Sequence, residues 1–328
     1  MAQQHLDPGT AHTAEAVLAS YLRAQATEFL RALRQHRESG AAGETAGAAR
    51  ALRRAARRIS GTLHTFRPLL DAEWSDGLRP ELAWLSGTLA QEHAYAERLQ
   101  RLNEALHRLT AAGRGGSAGP PAPRAEKDAA PPARETLTLG AAKAAALLDR
   151  QLTLAKTRAH STALGALGSS RFHAVADSVA VLASEVPLRG ADAELKKLAE
   201  AAENRLTEAV AALHDTGHPY NPDADTPWHH VRLLLRLHRY AQEVTPEGPA
   251  SDLRREENRK ENEAAHALNA HRDAAEAAGA AAHAARTPRI APATAYALGV
   301  LHADQRHQVE AARIAFRGAW HREAVGTP

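Results

Sequence analysis

Four side chains, His229, Arg232, Arg236 and Arg239, recur at offsets of 0, 3, 7 and 10. At about 100° per residue they share an arc of about 80° on a helix. Such a row suits phosphate oxygens. Each guanidinium offers a planar fork of donors, and an imidazole adds a donor that strengthens on protonation. Val231, Leu234, Leu235 and His238 point the opposite way, toward a core. An earlier stretch repeats the spacing in Arg50, Arg53 and Arg57, with Ser60 in fourth place and Arg54 and Arg58 widening the row. Its apolar stripe is Leu52, Ala55, Ala56, Ile59, Leu63 and Phe66. No acid occurs between Ala46 and Leu70, or between Pro227 and Ala241. Solvated arginine faces are the plain alternative, because arginine favours helices. Duplication in one register argues for a shared purpose: the same 179-residue offset relates Arg50 to His229 and Leu89 to Leu268.

The elements that must position these rows read as helices throughout. Asp225 or Thr226 can cap the second basic helix, and Pro227 suits its first turn. The apolar spacing predicts further helices over Thr13–Glu38, Pro80–Ala111, Leu137–His160, Phe172–Val186, Ala191–His214, Ser251–Arg286 and Ala293–Ala324. Ser39–Gly47 reads as a flexible connection, and Gly165 with Gly168–Ser170 as a break. The Gly/Pro/Ala-rich stretch Gly113–Arg134 lacks apolar residues for a core and reads as a linker. Nothing alternates as a strand does. The expected architecture is all-α, with helical halves at about 10–112 and 136–325 packed as a single domain over 10–325.

Composition narrows the chemistry. The 328 residues contain no cysteine, which excludes disulfides, zinc–thiolate sites and thiol catalysis. No apolar run approaches ~18 residues and MAQQHLDPGT lacks a signal-peptide pattern, so a soluble cytoplasmic protein without membrane partners is expected. Net charge is only +3, from 41 basic and 38 acidic residues, so local segregation of charge says more than the total. H-E-x-x-H, P-loop and G-x-S-x-G motifs are absent, and no nucleophile, base or cofactor motif stands out.

HHVRLLLRLHRYAQE resembles the second basic helix of the CHAD family, the conserved-histidine α-helical domain. RRISGTLHTFRPLLD and ELAWLSGTL are similar to its first half, LNAHRDA to its L-G-x-H-x-D-A segment, and ALGVLHADQRHQVEAARIAFRGAW to its last helix. The resemblance runs from about Ala14 to Trp320. It implies a pseudo-twofold pair of antiparallel helical bundles whose basic helices line a central groove for inorganic polyphosphate. On that resemblance the binding residues are Arg50, Arg53, Arg57, Arg58, His229, Arg232, Arg236 and Arg239, with His160, Arg171 and His271 as additions. Asp273 reads as the orienting partner of a buried basic group.

The chain departs from the family pattern at several positions. Arg50 replaces a histidine, Ser60 an arginine, His93-Ala94 an Arg-Asp pair, Asn269 a glycine and Ala264 a glutamine. These changes weigh on the first half.

The implied role is non-catalytic polyanion binding in the cytoplasm, with association to polyphosphate granules. Sequence-independent nucleic-acid binding is the rival, though aromatics make up only 4% of the chain and offer few bases a stacking partner. A helical protein-interaction scaffold is a third reading. A metal-dependent bundle enzyme is a remote fourth, resting on Glu263–His266 and Asp304–His307 with Glu92 or Glu97. Nothing in the patterning specifies an oligomeric state.

Overall fold

The computed structural model describes residues 14–38, 42–112, 131–189, 194–213, 220–245 and 252–321. The linker expectation therefore falls mainly outside the described residues, at 113–130. Nine α-helices and no strand occur among the described residues: α1 Ala14–Glu38, α2 Ala42–Thr65, α3 Ala72–Ala112, α4 Pro131–Leu167, α5 Ser170–Ser184, α6 Leu195–Ala211, α7 Thr226–Val244, α8 Asp252–Ala285 and α9 Pro292–Trp320. Short 3-10 turns at Arg67–Leu69 and Pro222–Asp225 precede α3 and α7. No described helix is long and apolar enough to cross a membrane.

Several boundaries differ from the periodicity reading. Residues 42–47 belong to α2 rather than to a connection. Helix α3 starts at Ala72 and carries Pro80 inside it. An interior proline costs about 3 kcal/mol, but Leu78, Leu82 and Leu85 around it are buried, and each buried leucine returns roughly 1.5–3 kcal/mol. Helix α4 starts at Pro131 and passes through Gly165. The break comes at Ser169, whose hydroxyl accepts a hydrogen bond from Phe172 N and so caps α5.

The chain divides into two compact units that cut across the sequence halves. One is drawn from Met1–Leu89, Leu164–Leu206 and Arg236–Gly248, the other from Ala90–Ala163, Thr207–Leu235 and Pro249–Pro328. In the first, α1 packs on α2 and α5. Leu22 and Phe29 of α1, Ile59 and Leu63 of α2, and Phe172 and Val179 of α5 share its core. Helix α2 approaches the end of α7 closely, since a Cβ at Gly61 would lie 2.6 Å from Tyr240 Cδ2. In the second unit, α8 packs along α9 through Ala277, Ala281 and Ala284 against Ala297, Leu298 and Leu301. Short side chains permit that proximity.

Helix α4 meets α9 where a Cβ on Gly140 would fall 1.9 Å from Ala293 O. That contact is backbone against backbone and cannot be relieved by a rotamer. Gly140→Ala is expected to destabilise the protein by roughly 1–3 kcal/mol despite a better helix propensity. Gly299→Ala in α9, where an added Cβ meets nothing within 4 Å, is expected to stabilise it by up to about 1 kcal/mol. Thermal midpoints of the two variants moving in the same direction would contradict this packing account.

Candidate functional site

Helix α7 carries the second basic row as the spacing predicts. Val231, Leu234, Leu235 and His238 are buried on one side. On the other, His229 is exposed while Arg232, Arg236 and Arg239 are half-buried, with aliphatic stems available to pack along the protein. Arg232 Nη1 reaches Asn269 Oδ1 at 3.4 Å. The asparagine that replaces the family's glycine thus meets the basic row directly.

The start of α7 is anchored from beneath. The Asp225 carboxylate, 4% exposed as a residue, accepts from Arg306 Nη1 at 2.6 Å, Arg306 Nη2 at 3.2 Å and Arg313 Nη2 at 2.7 Å. His271 Nε2 lies 3.5 Å from the same carboxylate and 3.3 Å from Arg313 Nε. Trp228 stacks on the His271 ring at 5.5 Å and meets the Arg313 guanidinium at 5.3 Å. Burial alone would raise the Asp225 pKa. Hydrogen bonding by His271 and Arg306, with their charges, instead holds it down at about 2.

His271 is 0% exposed, so this expected contact lies in the interior. Its ring meets that of His229 edge-on at 5.7 Å. Burial of His229, then the neighbouring His271 and Arg232, lower its pKa below the usual histidine value. The orienting carboxylate is Asp225 and not Asp273. Asp273 is partly exposed and accepts from its neighbour Arg272.

The first basic row lies on α2. Arg50 is exposed, with Nε bonded to Ala46 O at 3.3 Å, and Arg53 and Arg57 are half-buried. Arg58 donates to Glu243 of α7 in a two-pronged pair at 2.7 and 3.0 Å. Tyr21 OH donates to that carboxylate at 2.6 Å, and burial followed by this bond raises the phenol pKa. Ser60 Oγ, in the row's fourth place, donates to Arg79 O at 3.4 Å.

The remaining additions are also paired. Arg171 forks onto Glu81 at 2.6 and 3.1 Å and sits 4.1 Å over the Trp84 ring. His160 Nδ1 lies 2.9 Å from Glu92. Arg50, Arg53 and Arg57 lie on α2, and His229, Arg232, Arg236 and Arg239 on α7.

Three of the residues offered for a metal have hydrogen-bond partners. Glu263 accepts from Arg259 at 2.7 Å, His266 Nδ1 bonds Asn262 O at 2.7 Å, and Asp304 accepts from Gln305 at 2.7 Å. No group of three or more candidate ligands gathers among the described residues.

Sequence reading missed Asp225 as an ion-pair centre, together with Arg306, Arg313, Glu243 and Tyr21. A signal existed for two of them. Arg306 and Arg313 sit seven apart beside the apolar stripe of Leu298, Leu301, Val309 and Phe316, where a solvated arginine has no place.

The depressed Asp225 pKa contributes stability that is fully present above about pH 4 and lost as pH falls through about 2. Asp225→Asn is expected to cost roughly 3–5 kcal/mol at neutral pH by stranding buried arginines. It should also flatten the acid limb of urea-denaturation midpoints plotted against pH. An unchanged midpoint at neutral pH would show that the cluster does not carry this load.

The CHAD domain profile matches residues 24–282. No curated protein matched the chain. Among solved structures, PptA from Streptomyces chartreusis is 60% identical, with a TM-score of 0.78 over 94% of this chain and 99% of that one. The CHAD domain from the plant Ricinus communis is 16% identical, with a TM-score of 0.58 over 95% of this chain and 93% of its own, and shares the fold. The chain belongs to the CHAD domain family.

Proposed function

We propose that this protein binds inorganic polyphosphate without catalysis, through the basic faces of α2 and α7. The observation that carries this reading is the α7 face, where His229, Arg232, Arg236 and Arg239 stand opposite a buried stripe with no intervening acid. A polyphosphate chain carries charge on every unit and no apolar handle. Its receptor must supply repeated charge-assisted donors on rigid elements, and helical rungs about 5 Å apart do so. Arg53 and Arg57 on α2 add a second set. Arg58, Arg171 and His160 each meet a carboxylate and His271 lies in the interior, and this reading gives the four no direct contact with the ligand. In the cell this reading places the protein in the cytoplasm, at polyphosphate granules.

Nucleic acid is a poorer occupant. Trp228 is 3% exposed and Phe66 0%, so neither ring offers a base a stacking surface. A comparison of long polyphosphate, duplex DNA and single-stranded RNA at matched phosphate concentration tests the choice. Polyphosphate is expected to bind tightest, with affinity falling steeply as salt rises. Equal affinity for DNA, or a flat salt response, would overturn the reading.

The two faces should contribute unequally, since the α7 row is complete and the α2 row ends at Ser60. Arg232→Ala with Arg236→Ala is expected to weaken polyphosphate binding more than Arg53→Ala with Arg57→Ala. Each charge-assisted contact is worth roughly 1.5–3 kcal/mol, so either double variant should lose more than about tenfold. Titration with one polyphosphate length, after circular dichroism confirms unchanged helicity, decides it. Wild-type affinity in the Arg232/Arg236 variant would remove α7 from the site.

A further inference from the structure

A concavity lies between the N-terminal parts of α3 and α5. It encloses about 610 Å³, within the range of small-molecule sites. Trp74, Leu78 and Val175 give it an apolar wall, and the short residues Gly77 and Ala174 keep it open. Its charge is opposite to that of α2 and α7. Asp71, Glu73 and Glu81 line it against a single cation, Arg171. That cation is already taken by Glu81 at 2.6 and 3.1 Å and held over Trp84, so it forms part of the wall.

Apart from the Trp74 indole N–H, the remaining side-chain polar groups offer acceptors. Asp71 Oδ1 accepts only the Trp74 amide, at 2.8 Å, as the cap of α3. Ser178 spends its proton on Ala174 O at 2.9 Å. Glu73 is exposed and has no ion pair among the described residues. An occupant must therefore bring positive charge and hydrogen-bond donors at one end and hydrocarbon at the other. The partly exposed Trp74 ring suits both ends, since an indole face attracts cations and packs against apolar groups.

We propose that this recess binds a small amphipathic amine, with its ammonium against Glu73 and Asp71 and its apolar part against Trp74, Leu78 and Val175. The proposal does not rest on the polyphosphate reading. The probe is 2-phenylethylamine, titrated into the full chain by calorimetry beside its neutral isostere 2-phenylethanol. The amine is expected to bind saturably and at least about tenfold tighter than the alcohol. Glu73→Gln, an exposed change that leaves the core untouched, should narrow that ratio severalfold. Gly77→Leu, at a position where an added Cβ meets nothing within 4 Å, should fill the recess and abolish binding. An amine that binds no tighter than the alcohol, or full binding by the folded Gly77→Leu variant, would overturn the proposal. So would an unaltered ratio in Glu73→Gln.

Discussion

One buried carboxylate governs the α7 end of this molecule. Asp225 is almost wholly buried, and an isolated charge there would cost several kcal/mol. It is tolerated because Arg306 and Arg313 of α9 and His271 of α8 converge on it. None of these side chains could be buried without the others. The pairing therefore ties the first turn of α7 to two other helices, and Trp228, stacked on His271, fills the space above it. The direction in which α7 leaves this anchor decides where His229 and Arg232 stand. A surface row of cations thus owes its placement to a charge cluster underneath it.

Four arginines of this chain are visibly held by carboxylates. Arg306 and Arg313 are buried with Asp225, and Arg58 and Arg171 are each forked onto one glutamate. An incoming phosphate gains little from a guanidinium whose donors already meet a carboxylate, because one charge-assisted pair would only replace another. Arg53, Arg57, Arg232, Arg236 and Arg239 belong to stretches that hold no acid, so the nearest carboxylates on their own helices lie beyond the row. Glu243 illustrates the boundary. It follows the acid-free stretch of α7 by two residues, and it claims Arg58 for structure.

The first unit shows how closely the two basic helices are bound to the same core. Gly61 permits α2 to meet Tyr240 of α7, and Arg58 lies 5.8 Å over the Tyr240 ring beside that crossing. Rigid placement matters for a ligand recognised through many equal contacts. Binding energy spent on ordering donors is lost to affinity, whereas donors on packed helices are ordered beforehand.

Local pattern determined much of this in advance. The helical periodicity, the acid-free rows and the buried stripe of Val231, Leu234 and Leu235 are properties of residues three and four apart, and such neighbours share a helix face whatever the rest of the chain does. The family motifs are legible for the same reason. Tertiary structure alone decided the rest. Asp225 meets Arg306 and Arg313 across 81 and 88 residues, and in the sequence it reads only as a helix cap. Pro80 stays inside a helix because burial of its neighbours outweighs its local cost. Nothing in the sequence marks Arg58 as the partner of Glu243, 185 residues away. Which carboxylate a cation meets depends on what the fold brings opposite it, and no local pattern carries that information.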